Sequence, residues 1–185
     1  SFCVKMLRFY ASFAGISPNF SIISSPDEAD IIDIAKTELN FQRLSNMPTG
    51  TVFASMLSTC VNKGISLEDL LIEQRYWKFR QNEKKLLALK RKVARYKEEH
   101  NLLNYDDILL KFNSMLASYP DVAKKIEDTY QYIMVDEYQD TNVLQDSIIK
   151  KIRKYNQNLM VVGDDMQSIY RFRGADVRNI LSFPK

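Results

Sequence analysis

Apolar and polar positions follow two rhythms along this chain, and the change from one to the other divides it. Up to about residue 130 the spacing is helical. Cys3, Met6, Leu7, Tyr10 and Phe13 recur at three and four residues, the mark of an amphipathic helix. Phe20 to Ile23 then reads as a short strand. Ser25-Pro26-Asp27-Glu28 reads as a capping box with proline in the first turn, opening a helix whose inner face is Ile31, Ile32, Ala35 and Leu39. Pro48-Thr49-Gly50 breaks that pattern. Phe53, Met56, Leu57, Cys60 and Val61 form the next face, stopped by Lys63-Gly64. A long helix is predicted from about Leu67 to Glu99 on a seven-residue repeat of Ile72, Phe79, Leu86 and Val93, supported by Tyr76, Leu89 and Tyr96. Tyr105, Ile108, Leu109, Phe112 and Leu116 make a further face. Asp106 and Asp107 fall in its first turn, where the helix dipole favours anions, and Pro120 starts a short helix.

The second rhythm is that of buried strands. Tyr132-Ile133-Met134-Val135 runs into Asp136-Glu137-Tyr138-Gln139-Asp140-Thr141. A helical pattern follows at Val143, Leu144, Ile148, Ile149 and Ile152, then a second apolar run, Leu159 to Val162, which empties into Gly163-Asp164-Asp165-Met166-Gln167. Strand, helix, strand is a parallel crossover. Continuous apolar runs predict strands buried on both faces, and ligands of such sheets gather at the strands' carboxyl ends. Asp136 there suits a hydrated Mg²⁺ that bridges phosphate oxygens, and Glu137 suits the orientation or deprotonation of an attacking water. Two adjacent acids alone are more often a surface turn after an edge strand. The second acidic tip at the matching place changes that balance.

DEYQDT followed by VGDDMQSIYRFRGAD closely resembles motifs II and III of superfamily-1 DNA helicases of the UvrD, Rep and PcrA type. The resemblance implies that Asp136 holds magnesium, that Glu137 activates water for attack on the γ-phosphate of ATP, and that Gln167 senses that phosphate. It implies that Tyr170 and Phe172 lie beside single-stranded DNA, where bases stack, and that Arg173 helps couple ATP to DNA. The residue types fit, since an aromatic face grips any base without reading sequence. Phe172 stands where the relatives usually carry Trp, and Met166 where they carry a small or acidic residue. Tyr-Arg-Phe-Arg also occurs in subunits of helicase–nuclease recombination complexes, a second branch of the same reading. Leu102 to Leu110 resembles the Leu-Asp-Phe-Asp-Asp-Leu-Leu stretch before motif II, and Ser1-Phe2-Cys3-Val4 the tail of a Thr-Phe-His-Ser segment.

No glycine among Gly15, Gly50, Gly64, Gly163 and Gly174 belongs to the phosphate-cradling pattern G-x-x-x-x-G-K-[ST]. The chain is therefore expected to be an internal piece of a helicase that does not hydrolyse ATP alone. The expected fold is α/β, part of a RecA-like P-loop NTPase domain. Residues 1–26 and 101–185 are assigned to that domain, and residues 27–100 to a mostly helical insertion of the kind called subdomain 1B. The resemblance implies ATP and Mg²⁺ as cofactors and 3′ to 5′ movement, with single-stranded DNA and its junctions with duplex as partners.

Composition adds limits. With 185 residues, 45% hydrophobic and 26% charged, the chain can bury one real core and a smaller second one. No apolar stretch approaches the ~20 residues of a membrane span, and the start lacks a secretory pattern. Cys3 and Cys60 lie on apolar helical faces and read as buried reduced thiols of a cytoplasmic protein, nucleoid-associated in a bacterium. His100 is the only histidine, which excludes a zinc site of the usual spacing.

Charge is concentrated in one place. Glu73 to His100 holds ten Lys and Arg against four acids, where the whole chain carries a net charge of +3. Lys90, Arg91 and Lys92 are its densest run. One reading is a phosphate-neutralising face for DNA, the other a solvated face of a long helix. Tyr76 and Phe79 fall on the apolar stripe as core residues, and Trp77 falls off it. A rival of another class is a non-enzymatic DNA- or partner-binding module with vestigial motifs.

Overall fold

The computed structural model describes residues 1–156 and 158–164. In chain order the elements are α1 (Phe2–Phe9), β1 (Ser21–Ile22), α2 (Ser25–Glu38), α3 (Gly50–Lys63), α4 (Leu67–Leu70), α5 (Glu83–Glu99), β2 (Leu102–Leu103), α6 (Tyr105–Ser118), α7 (Pro120–Thr129), β3 (Ile133–Val135), α8 (Val143–Ile152) and β4 (Leu159–Val161). Short 3₁₀ helices occupy Trp77–Asn82 and Tyr138–Asp140. The fold is mixed α/β, mostly helical with short parallel strands. It separates into two compact units, one of residues 16–61 and 65–108, the other of residues 1–15, 62–64 and those from 109 on.

The first of these units is built on α2, α3 and α5. Ile31, Ile32 and Ala35 meet Phe53, Met56 and Cys60, and Leu86, Leu89 and Val93 close the same core. Gly64, at φ +66°, ends α3 where a side chain would be strained. The capping box of α2 sits one residue earlier than expected. Ser24 is the N-cap, and Asp27 reaches back to accept from the Ser24 N–H at 2.8 Å. Glu28 is unavailable for that role because it is buried, accepting from Lys97 Nζ at 3.0 Å and from Asn104 Nδ2 at 2.7 Å. Lys97 also donates to Asp107 Oδ2 at 2.6 Å, so one buried ammonium joins α5, α2 and the start of α6. β1 and β2 pair in parallel, Ser21 with Leu102 and Ile22 with Leu103.

The continuous helix expected from Leu67 to Glu99 is broken. One helical turn, α4, gives way to the Trp77–Asn82 3₁₀ helix before α5 begins. Asn82 supplies the cause, since its Nδ2 donates to Ser45 O at 2.8 Å and Asn46 O at 2.9 Å and so holds the chain against a distant loop. The seven-residue stripe survives at Phe79, Leu86 and Val93, which are buried. It fails at Ile72, which is 58% exposed.

In the second unit α1 buries Met6 and Leu7, while Phe13 is exposed, so the expected face is narrower. Cys3 is half-buried rather than fully enclosed, and Cys60 in the other unit is buried. Burial raises both thiols above the ordinary value, which keeps them protonated. Phe112, Met115 and Leu116 of α6 are buried, as are Val122 and Ile126 of α7 and Leu144, Ile148 and Ile152 of α8. Tyr105, predicted on the α6 face, is exposed. β3 and β4 are parallel, with Ile133 opposite Leu159, Met134 opposite Met160 and Val135 opposite Val161. Burial on both faces does not hold. Ile133 and Val135 are half-buried, whereas Met134 is 73% exposed and Met160 is exposed beside it, so these three-residue strands are covered on one side among the described residues. No described helix is long and apolar enough to cross a membrane.

Candidate functional site

The parallel register brings the two acidic tips together. Beyond the paired residues, Val162 N–H donates to Val135 O at 2.8 Å and Tyr138 N–H donates to Val162 O at 3.0 Å, so the chain leaves β3 still fastened to β4. Asp136 and Glu137 stand exposed at that carboxyl edge. Glu137 has φ 50° and ψ 43°, the left-handed region that a residue with a Cβ occupies only when its surroundings impose it. The two carboxylates have different partners. Asp136 Oδ1 accepts from the Glu137 N–H at 2.9 Å, and Glu137 Oε2 accepts from Gln139 Nε2 at 2.6 Å.

Beneath them the short 3₁₀ helix is locked. Tyr138 is buried, and its hydroxyl donates to Asp146 Oδ1 on α8 at 2.7 Å. Asp146 also pairs with Lys150 at 2.6 Å. Burial, then the bond to Asp146, raises the Tyr138 phenol far above its ordinary value. Thr141 Oγ1 donates to Tyr138 O at 2.7 Å. Asn142 caps α8 through a reciprocal box with Gln145. Gln139, also buried, reaches across the edge, where its Oε1 accepts from the Asp164 N–H at 3.0 Å. The sequence carried Gln139 only as a letter between two acids. Its bridging role needs Asp164 as a spatial neighbour, which the crossover provides.

This edge opens on a cavity of about 620 Å³. Its apolar wall includes Ile133, Val135, Ile148 and Ile152, and its polar end is Asp136, Glu137, Asp140, Thr141 and Gln145. Among the described residues, three carboxylates line it and no Lys, Arg or His does. Asp140 Oδ1 is buried without a hydrogen-bond partner, the single such side-chain atom among the described residues. A buried acceptor in an acidic pocket calls for a donor or a cation. No described cluster of three His, Cys, Asp or Glu forms a metal cage. The donor set fits Mg²⁺, which usually takes one or two carboxylates together with phosphate oxygens and retained waters.

Gln167, Tyr170, Phe172, Arg173 and Met166 lie outside the described residues. Lys90, Arg91 and Lys92 lie on α5 of the helical unit. The first two are exposed, and Lys92 is half-buried and paired with Glu38 at 2.7 Å. Three consecutive helical residues point about 100° apart, so they form no single face.

Comparison with known proteins extends over the whole chain. The profile of the UvrD/REP helicase N-terminal domain matches residues 1–185. The ATP-dependent DNA helicase PcrA of Staphylococcus aureus (strain Mu50) is 34% identical over 186 residues, which cover 100% of this chain and 24% of that protein. The PcrA of Staphylococcus epidermidis (strain ATCC 12228) is 34% identical over 184 residues, covering 99% of this chain and 24% of that protein. The chain thus spans about a quarter of the length of the curated relatives it matches. With two acidic tips on one parallel sheet edge and a profile match from end to end, the chain belongs to the UvrD/REP helicase N-terminal domain family.

Proposed function

We propose that this chain carries the magnesium–nucleotide edge and part of the DNA grip of an ATP-dependent DNA helicase that moves 3′ to 5′ on single-stranded DNA and works at its junctions with duplex in the cytoplasm. The observation that carries the reading is the acidic end of the β3–β4 cavity, with exposed Asp136 and Glu137 above the unpartnered Asp140 oxygen. When bound, Mg²⁺ and ATP supply an electrophilic γ-phosphate whose charge the metal offsets. Asp136 is the metal's carboxylate. Glu137 orients a water and takes its proton at Oε1, since Gln139 engages Oε2. Gln167 reports the γ-phosphate, Tyr170 and Phe172 stack on bases, and Arg173 couples the two events. The unit holding β3 and β4 serves as the RecA-like domain, and the unit holding α2, α3 and α5 as its helical insertion.

Glu137→Gln in the full-length protein tests the assignment. DNA-stimulated ATP turnover falls by about 100-fold or more while DNA binding is retained, the scale expected for loss of a general base. Turnover at the parental rate removes Glu137 from the chemistry.

A further inference from the structure

Trp77 is the only tryptophan of the chain, and it is 53% exposed. The local geometry makes it so. A 3₁₀ helix has three residues per turn, which eclipses positions i and i+3. Tyr76, Phe79 and Asn82 therefore form one row, and all three are buried, with Asn82 clamped to Ser45 O and Asn46 O. Trp77 and Arg80 form the adjacent row, which faces outward. The Arg80 guanidinium lies over the indole, its carbon 4.6 Å from the ring centroid. Arg75 and Lys78 lie in the same manner over Tyr76 and Phe79, at 5.5 and 4.9 Å. None of the described ion pairs engages Arg75, Lys78, Arg80, Lys84 or Lys85, and all five are exposed.

A large apolar ring held outward among uncompensated cations suits a polymer that is both planar and anionic. Bases stack on an aromatic face without regard to sequence, and guanidinium and ammonium groups take the flanking phosphates. We propose that Trp77 and Arg80, flanked by Arg75, Lys78 and Lys84, bind single-stranded nucleic acid, with a base stacked on the indole and the neighbouring phosphates on the cations. Duplex does not satisfy the site, because its bases are already stacked and face inward. The inference rests on the DNA-binding reading above but uses none of the residues to which that reading assigns a role.

The single tryptophan makes the test direct, since its emission in the 185-residue chain reports on this site alone. Unlabelled oligothymidylate is expected to quench that emission saturably, with the same midpoint as the anisotropy of a labelled oligomer. Trp77→Ala weakens the anisotropy-detected affinity by about 5- to 100-fold, and Trp77→Phe, which keeps a stacking face, recovers most of it. Because Trp77 lies outside the core, thermal unfolding followed by circular dichroism is expected to be unchanged in both variants. Oligomer binding with unaltered emission, or parental affinity in Trp77→Ala, removes this site and leaves the DNA-binding reading standing. Absence of binding by either readout overturns both for this chain. Equal quenching by blunt duplex shows phosphate contact without stacking, and equal quenching by an acidic peptide shows a protein-docking surface. Either result overturns the proposal.

Discussion

Gln139 holds Glu137 in place. Its Nε2 donates to Glu137 Oε2 at 2.6 Å while its Oε1 accepts from the Asp164 N–H at 3.0 Å, so one buried amide fixes a carboxylate at the tip of β3 and the backbone just beyond β4. Each tip constrains the other through this side chain. A shift of the chain after β4 therefore reaches Glu137 through two hydrogen bonds.

Replacing Gln139 by Leu keeps most of the volume and removes both bonds, which frees Glu137 to rotate. Glu137 and Asp164 are exposed and water can take up their freed groups, so the expected loss of stability is about 0.5–1.5 kcal/mol, the usual net worth of a hydrogen bond. In the full-length protein kcat for ATP falls by about tenfold or more, with KM changed less, because positioning rather than binding is lost. Urea unfolding and steady-state kinetics measure the two effects. Parental kcat in this variant shows that Glu137 is oriented by other means.

Gly50 opens α3 against α2. A Cβ at that position meets Ala29 O at 2.3 Å and Asp33 Oδ2 at 2.7 Å, and the first of these is backbone that cannot turn aside. Gly50→Ala must therefore move the two helices apart, with an expected loss of about 1–3 kcal/mol despite alanine's better helix propensity. A lowered urea midpoint is the expected reading, and an unchanged one means that the loop before Gly50 yields without cost.

Asp106 lies near the buried Lys97 network. Burial raises its carboxyl above the ordinary range. The Ser58 hydrogen bond opposes this, Glu28 and Asp107 add to it, and Lys97 opposes it. A carboxyl that holds its proton more tightly in the folded state contributes most below its unfolded value of about 3.9, and that contribution is lost as pH rises through the folded value. Asp106→Asn keeps an acceptor for Ser58 and removes the charge. The variant is thus expected to melt above the parent at about pH 7, with the gap closing towards about pH 4. A gap that stays constant with pH points to packing instead.

The β3–α8–β4 crossover was legible because both apolar runs stop at acids and the helix between them has an unbroken face. The carboxyl edge with Asp136 and Glu137 followed from that order alone. Misplaced features share one cause, a partner distant in sequence. Glu28 looked like the capping residue of α2, but Lys97, 69 positions away, draws it inward. The helix predicted through residue 82 breaks because Asn82 binds a loop 36 and 37 residues earlier. Nothing in the local pattern around Asn82 announces that loop, since its neighbours continue the apolar repeat on both sides. The one-sided cover of β3 and β4 was equally hidden, because an apolar run reads alike whether one of its faces is covered or both are.

The Trp77–Asn82 segment counts in threes, and length changes there are not equivalent. Adding or removing one residue turns every later side chain by about 120°, which carries Asn82 off the Ser45 and Asn46 carbonyls and brings Gln81 or Glu83 into its place. Three residues more leave the rows aligned and lengthen the segment by about 6 Å, with the inner clamp and the outer stack still on their own sides. Insertions across this short stretch are thus tolerated by multiples of the turn, much as a reading frame tolerates whole codons.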